Sequence, residues 1–218
     1  MISRVWYRFL NNLGKWPCDR NMESIEIFDG LYGKGLDIGH DGEYTFKSNN
    51  ITRLNIHPGK DIDVVYDGGV IPFDDKTFDK ILLRCVLEHV NDPENLLKEA
   101  SRILKEDGVM VIEVPFINPV HAAPIDNFRF TPNGLEIILI NQKLKIDSIF
   151  YTEDHNWAIK WLLWQGLKES NEVGLKYLFK FIFLKYFINP LFLRSKTADE
   201  KNFAQFGCIV RKSKHMQQ

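Results

Sequence analysis

Two near-continuous apolar runs, FDKILLRC (78–85) and GVMVIEVPF (108–116), flank a helical pattern. A strand with one wet face alternates apolar and polar residues, whereas a strand apolar at almost every position has both faces covered. Two such strands joined by a helix form a parallel pair with its crossover. In the connection Asp92 is a suitable N-cap and Pro93 fits the first helical position. Leu96, Leu97, Ala100, Ile103 and Leu104 share one apolar face, and Gly108 is expected to stop the helix. The rhythm continues on both sides. GLDIG (35–39) reads as a strand followed by a brief polar helix, and ITRLNI (51–56) and DIDVVYD (61–67) read as two more strands. TPNGLEIILINQ (131–142) predicts a helix capped by Thr131 with Pro132 behind it, and KIDSIFY (145–151) and NFAQFGCIVRK (202–212) close the set as strands. Strands alternating with helices imply an α/β, doubly wound sheet that binds ligands beyond the carboxyl ends of its strands.

At 218 residues, 44% of them hydrophobic, the chain is long enough to bury one full core. Cys18, Cys85 and Cys208 are far apart, odd in number and lack metal spacing, so free thiols in a reducing, cytoplasmic setting are expected. Arg4 and Arg8 interrupt what would be the apolar stretch of a signal peptide. The net charge of −1 hides an asymmetry: residues 21–155 carry −11, while 1–20, 156–196 and 197–218 carry +3, +5 and +2. An acidic body with cationic, aromatic flanks either solvates helix faces or meets an anionic partner on the flank side, and nucleic acid is not expected as a partner.

Residues 156–196, with WAIKWLLWQGLK and LKYLFKFIFLKYFINPLFL, break the rhythm. Lys176, Lys180 and Lys185 recur in the second run and Asn189-Pro190 ends it. At roughly 2.5–3.5 kcal/mol per lysine in the hydrocarbon centre, a spanning helix is disfavoured. Two amphipathic helices inserted between the last two strands fit better. Trp157, Trp161 and Trp164 with Lys160 and Lys168 could form a lid, a membrane-interface face, or a plain helical cap with a homodimer contact. The N-terminal WYRFLNNLGKW shares that ambiguity. The organisation expected is an N-terminal helical segment (1–30), an α/β core (31–155), a helical insertion (156–200), and a final strand and tail (201–218) that complete the core.

Three polar side chains fall at successive strand ends. Asp37 ends the first strand, Asn55 the second and Asp67, before Gly68-Gly69, the third. Each by itself can be a strand-end cap; in this order they point to an adenosine site, with the second position on the ribose and the third on the adenine amino group. G-x-G-x-x-G spacing, which a nicotinamide enzyme would show, is absent.

GLDIGHDG together with DGGVIPFDDKTFDKILLRCVLEHVNDPENLLKEASRILKEDGVMVIEVPF resembles the motifs of class I S-adenosylmethionine-dependent methyltransferases of the type 11 kind, from about Gly33 to Arg211. The resemblance implies a Rossmann-like seven-stranded sheet with its last strand antiparallel, S-adenosyl-L-methionine as cofactor, and methyl transfer. Carried over by position, Asp37, Gly39 and His40 would hold the methionine end, Asn55 and Ile56 the ribose side, Asp67 and Gly68 the adenine, and the backbone around Arg84 would line the site. Asp41 stands where the family usually has glycine, and Asn55 where it usually has an acid.

The run PVHAAPIDNFRFTP (119–132) follows the fifth strand, where the resemblance places the acceptor. His121 is the candidate general base, because its ordinary pKa lies near neutrality. Asp126 could orient His121 or hold an acceptor hydroxyl, and Arg129 could clamp an anion through its planar fork. The structural reading is Asp126 pairing Arg129 to brace the loop. His89, in LEHV, reads as a packed or capping histidine. The function expected is methylation, on oxygen, of a small-molecule or glycan-type acceptor. A non-catalytic adenosine-binding module that docks to a partner or membrane surface is the alternative.

Overall fold

The computed structural model describes residues 21–121, 125–169, 175–188 and 198–213, so the readings of residues 1–20, Cys18, Pro124 and Asn189-Pro190 lie outside the described residues. The strands β1 (Gly35–Ile38), β2 (Ile51–Asn55), β3 (Val64–Val65), β4 (Phe78–Arg84), β5 (Leu104–Pro115), β6 (Leu144–Glu153) and β7 (Gln205–Lys212) form one sheet in the order β3-β2-β1-β4-β5-β7-β6. β1 to β5 run parallel, and β7 lies antiparallel between β5 and β6. This is the Rossmann-like seven-stranded arrangement that the alternating pattern and the motifs implied.

The central apolar runs divide between two layers. Ile81, Leu83, Met110 and Ile112 pack with Leu96, Leu97 and Ile103 of α2 (Pro93–Ile103) and with Leu135 and Leu139 of α3 (Pro132–Asn141). Leu82 and Val111 point the other way, onto Ile25 and Phe28 of α1 (Glu23–Gly30) and onto Tyr44. Lys80 faces α1 too. Its buried ammonium donates to the Phe28 and Leu31 carbonyls at 2.9 and 2.6 Å, closing the helix C-terminus where a cation is favoured. The expected caps form: Asp92 Oδ1 accepts from Asn95 N at 3.0 Å, and Thr131 Oγ1 from Gly134 N at 3.0 Å.

Local expectations fail in three places. No helix follows β1, because Tyr44 and Phe46 turn inward and stack edge-on (centroids 5.5 Å apart), which an exposed polar helix would forbid. The third strand is only Val64–Val65. α2 ends at Ile103 rather than at Gly108, which lies buried within β5. The carbonyls of Arg102 and Ile103 accept from Lys76 N and Thr77 N at 3.0 and 2.8 Å, so the sheet satisfies groups that would otherwise need a helix cap.

Between β6 and β7 lie α4 (His155–Glu169), α5 (Leu175–Phe183) and a π turn (Leu184–Ile188), in the place expected for the inserted helices. No described helix is long and apolar enough to cross a membrane. Trp157 and Ala158 pack on Ala204, with Trp161 and Ile117 beside them, so this part of α4 turns its tryptophans inward. That packing sets Trp157 on the carboxyl edge of the sheet, and the side chains of Trp164 and Lys168 lie outside the described residues.

Candidate active site

The turn after β1 is built around a fully buried acid. Asp37 accepts from His40 Nδ1 at 2.7 Å and from Tyr44 Oη at 2.8 and 3.0 Å. Burial raises its pKa, and the bonds from His40 and Tyr44 oppose that rise. A buried carboxylate is tolerated when donors replace its water, and here two do. Asp37 therefore orders the turn, and its side chain has no exposed surface to offer a ligand. Gly39 takes φ +83°, and a Cβ there would stand 2.5 Å from Val86 Cγ2, so only glycine lets the turn after β1 close on the turn after β4. Asn55 is drawn into the same assembly: Nδ2 donates to the His40 carbonyl at 2.6 Å and Oδ1 accepts from His57 N at 3.1 Å.

The third strand end is open. Asp67 is exposed, and Oδ1 accepts from Gly69 N at 2.9 Å. Ile56 is 41% exposed next to Gly68. An apolar side chain and an acceptor carboxylate thus share the rim at β2 and β3, although Ile56 was expected with Asn55 on the ribose side and Asp67 with Gly68 at the adenine.

Arg84 takes a role that sequence position does not disclose. It is buried, with Nε donating to Glu113 Oε2 at 3.0 Å and Nη2 to the Asn21 carbonyl at 3.1 Å, and it lies 5.5 Å from the centroid of the Tyr44 ring. Glu113 is wholly buried and also accepts from Ser24 Oγ and Gln205 Nε2. Nearby, burial raises Glu153 to about 7, assisted by the charges of Glu113 and Asp154. After Arg84 the chain turns at Cys85, whose φ of +52° is left-handed and rare for a residue with a side chain. That turn leads into a 3-10 segment, Leu87–His89.

The loop after β5 docks on this segment. The Glu88 carbonyl accepts from Asn127 N at 2.7 Å and Phe128 N at 3.3 Å, and His89 Nδ1 meets the Ile125 carbonyl at 2.5 Å. The expected Asp126–Arg129 pair is present and bidentate, at 2.5 and 2.6 Å. Arg129 also reaches the Asn118, Pro119 and Phe128 carbonyls. All five N–H groups of a guanidinium are then engaged within the loop. Arg129 braces the loop; it is not a fork held open for an anion. The bond from Arg129 pulls Asp126 down to about 2, and Asp126 Oδ2 accepts the backbone N–H of His121 at 2.8 Å. Asp126 thus positions His121 chiefly through the main chain.

His121 is half-buried, and burial lowers its pKa, so the ring is neutral at pH 7. Its Nδ1 lies 3.0 Å from the Pro119 carbonyl. A carbonyl only accepts, so Nδ1 carries the proton and Nε2 keeps a lone pair. The ring sits edge-on to His89 (centroids 5.0 Å apart) and 5.5 Å from Trp161. Glu88 completes the group: fully buried, raised to about 8 by burial, with neither carboxylate oxygen hydrogen-bonded among the described residues. The loops after β4 and β5 thus join Glu88, His89 and His121 at the sheet's carboxyl edge. Sequence reasoning quoted LEH as a motif and gave His121 a role, but missed Glu88, Tyr44 and Glu113. No spacing in the chain signals that Glu88 and His121, thirty-three positions apart, will meet.

A family model described as a methyltransferase domain matches residues 43–112. The ubiquinone/menaquinone biosynthesis C-methyltransferase of Idiomarina loihiensis is 28% identical over 138 residues, covering 56% of this chain and 52% of that protein. The chain spans about half the length of the curated relatives it matches. Among solved structures, a SAM-dependent methyltransferase from Thermotoga maritima superposes with a TM-score of 0.58 at 14% identity, covering 97% of this chain and 96% of that one. The 1,6-didemethyltoxoflavin-N1-methyltransferase of Burkholderia thailandensis, with bound 1,6-didemethyltoxoflavin and S-adenosylhomocysteine, gives 0.53 at 12% identity, covering 96% and 84%.

Proposed function

We propose that this chain, which belongs to the class I S-adenosylmethionine-dependent methyltransferases, methylates a hydroxyl oxygen of a small-molecule or glycan-type acceptor. S-adenosylmethionine, when bound, supplies a methyl carbon made electrophilic by its sulfonium sulfur. The residues present fit that group: Ile56 offers an apolar surface for the adenine, Asp67 an acceptor for its amino group, and Gly39 a turn that backbone-close binding requires. Asp37, His40 and Asn55 act behind this surface by holding the turn in shape.

The observation that carries the reading is the Glu88–His89–His121 group at the carboxyl edge of the sheet, just beyond the Val86 that packs on Gly39. Amines and activated carbons react without much help, whereas a hydroxyl is a poor nucleophile unless its proton is drawn away. The imidazoles of His89 and His121 and the buried Glu88 carboxyl provide that help. Trp161 and Trp157 cover the loop and limit water around the reacting oxygen. The C- and N-methyl acceptors named for the relatives are the competing classes.

Incubation of the full chain with labelled S-adenosylmethionine and matched hydroxyl, amine and activated-carbon acceptors tests this. Label should appear in methyl ethers, with one S-adenosylhomocysteine formed per transfer. Label found only on nitrogen or carbon overturns it.

A second surface has its own observation. Phe179, Phe183 and Phe187 stack along α5 and the π turn at 6.2 and 5.9 Å, 69%, 45% and 54% exposed, beside the exposed Lys176 and Lys180. An apolar ridge edged by lysines suits an anionic membrane surface. Co-sedimentation with anionic vesicles at low salt, lost on Phe179→Ser with Phe183→Ser, is the expected outcome; indifference to vesicles refutes it.

A further inference from the structure

We propose that Glu88, His89 and His121 form a binding site for one divalent transition cation of the zinc type at the acceptor edge of the sheet. One ligand atom from each of the three side chains lies within 4.8 Å of the others, and His89 Nε2 is 3.7 Å from Glu88 Oε1. Ligand atoms around a tetrahedral zinc, at bonds of about 2.0–2.1 Å, are about 3.4 Å apart, so a bound ion needs only a modest inward shift of the rings.

Three features separate this group from an ordinary polar cluster. First, among the described residues, the other two wholly buried acids, Asp37 and Glu113, are each met by at least two side-chain donors, whereas Glu88 has none. A buried carboxylate without a donor is costly, and a cation is the other way to satisfy it. Arg129, the nearby cation that could pair with it, has its N–H groups engaged within its own loop. Second, both imidazoles are locked in the ligating tautomer. His89 Nδ1 lies 2.5 Å from the Ile125 carbonyl and His121 Nδ1 lies 3.0 Å from the Pro119 carbonyl, so each ring donates there and keeps a lone pair on Nε2. Metal-bound histidines are oriented by such bonds on the far nitrogen. Third, the loop carrying His121 is already tied to the 3-10 segment by the Asn127 and Phe128 amides on the Glu88 carbonyl, so the ligands are brought together before any ion arrives.

The donor set names the cation class. Two imidazoles and one carboxylate suit Zn²⁺, Co²⁺ and similar ions, while Mg²⁺ and Ca²⁺ favour all-oxygen sets. Three protein ligands leave a position open toward the acceptor. In its catalytic consequence the inference rests on the hydroxyl reading above: an ion there lowers the pKa of the acceptor hydroxyl, whose proton leaves to water. The oxygen then forms its bond to the methyl carbon as the carbon–sulfur bond breaks, giving a methyl ether and S-adenosylhomocysteine. His121 would then act as a ligand, and no longer as the general base.

The test uses tag-free full-length protein treated with a chelator and titrated with Zn²⁺, Co²⁺ and Mg²⁺ by calorimetry and visible absorption. The expected result is one equivalent of Zn²⁺ or Co²⁺, a Co²⁺ spectrum of mixed nitrogen and oxygen ligation, and no response to Mg²⁺. Glu88→Gln and His121→Ala should each weaken Zn²⁺ binding by about thirtyfold or more, while the exposed His57→Ala leaves it unchanged. Circular dichroism checks that each variant is folded, and the wild-type Co²⁺ spectrum decides the case even if Glu88→Gln is not. Absence of stoichiometric binding, or binding indifferent to both ligand variants, overturns the site. So does ether formation at an unchanged rate after chelation. Zinc binding here with methylation confined to nitrogen or carbon refutes the hydroxyl reading and leaves the site standing.

Discussion

Asp37, near the end of β1, and Glu88, past the end of the neighbouring parallel strand β4, are both wholly buried acids, yet they differ in what surrounds them. Asp37 receives His40 and Tyr44; Glu88 receives no side-chain donor among the described residues. Burial alone therefore does not distinguish a structural acid from a functional one. The partners do. A saturated carboxylate holds its turn together, and an unsaturated one is available to something from outside.

The largest effect expected from this contrast is on activity. Glu88→Gln should lower the rate of methyl transfer by about a hundredfold or more while thermal stability holds or rises, because an amide removes a buried ionisable group without changing shape. A variant that unfolds with no separate kinetic defect would erase the distinction. Asp37→Ala should behave in the opposite manner. It leaves His40 and Tyr44 without their acceptor, for a loss of about 2–4 kcal/mol in urea denaturation, with cofactor affinity falling alongside. An unchanged midpoint would show that the partners of Asp37 contribute little.

Arg129→Ala sharpens the contrast within the acceptor loop. As a brace, Arg129 should contribute about 1–3 kcal/mol of stability, and its loss should raise KM for neutral and anionic acceptors alike. A penalty confined to anionic acceptors would restore the clamp role. Glu153 gives the smallest effect and the cleanest sign. Its carboxyl is raised from 4.5 to about 7 by burial and by the charges of Glu113 and Asp154. Between those values the folded state holds more protons than the unfolded, so stability falls as pH rises through that window and levels off above it. Glu153→Gln should flatten that slope in denaturation curves collected from pH 4 to pH 8; an unaltered slope would assign the proton elsewhere.

The parallel core was legible because its cause is local. An apolar run covered on both faces has no alternative reading at that length, and Asp92-Pro93 and Thr131-Pro132 announce their helices through bonds made within four residues. The end of α2 was misplaced because its carbonyls find donors in Lys76 and Thr77, across a connection that a pattern of helix formers cannot show. The helix expected after β1 failed for a related reason, since Tyr44 and Phe46 bury against α1. Asn55 was read through the family's usual acid; its amide instead bonds the His40 carbonyl, which an aspartate could not do.

By itself the sequence determined the α/β class, the order of strand-end polar residues, the position of the inserted helices and the resemblance to methyltransferase motifs. Each depends on composition, periodicity or short spacing, which a chain carries wherever it folds. Only the tertiary structure decided which buried groups have partners. It paired Asp126 with Arg129 rather than with an acceptor, placed Arg84 on Glu113, and brought Glu88 and His89 against His121 from another loop. Hydrogen bonds and ligand sets depend on distances of a few ångströms between distant segments, and those distances exist only after the sheet has formed.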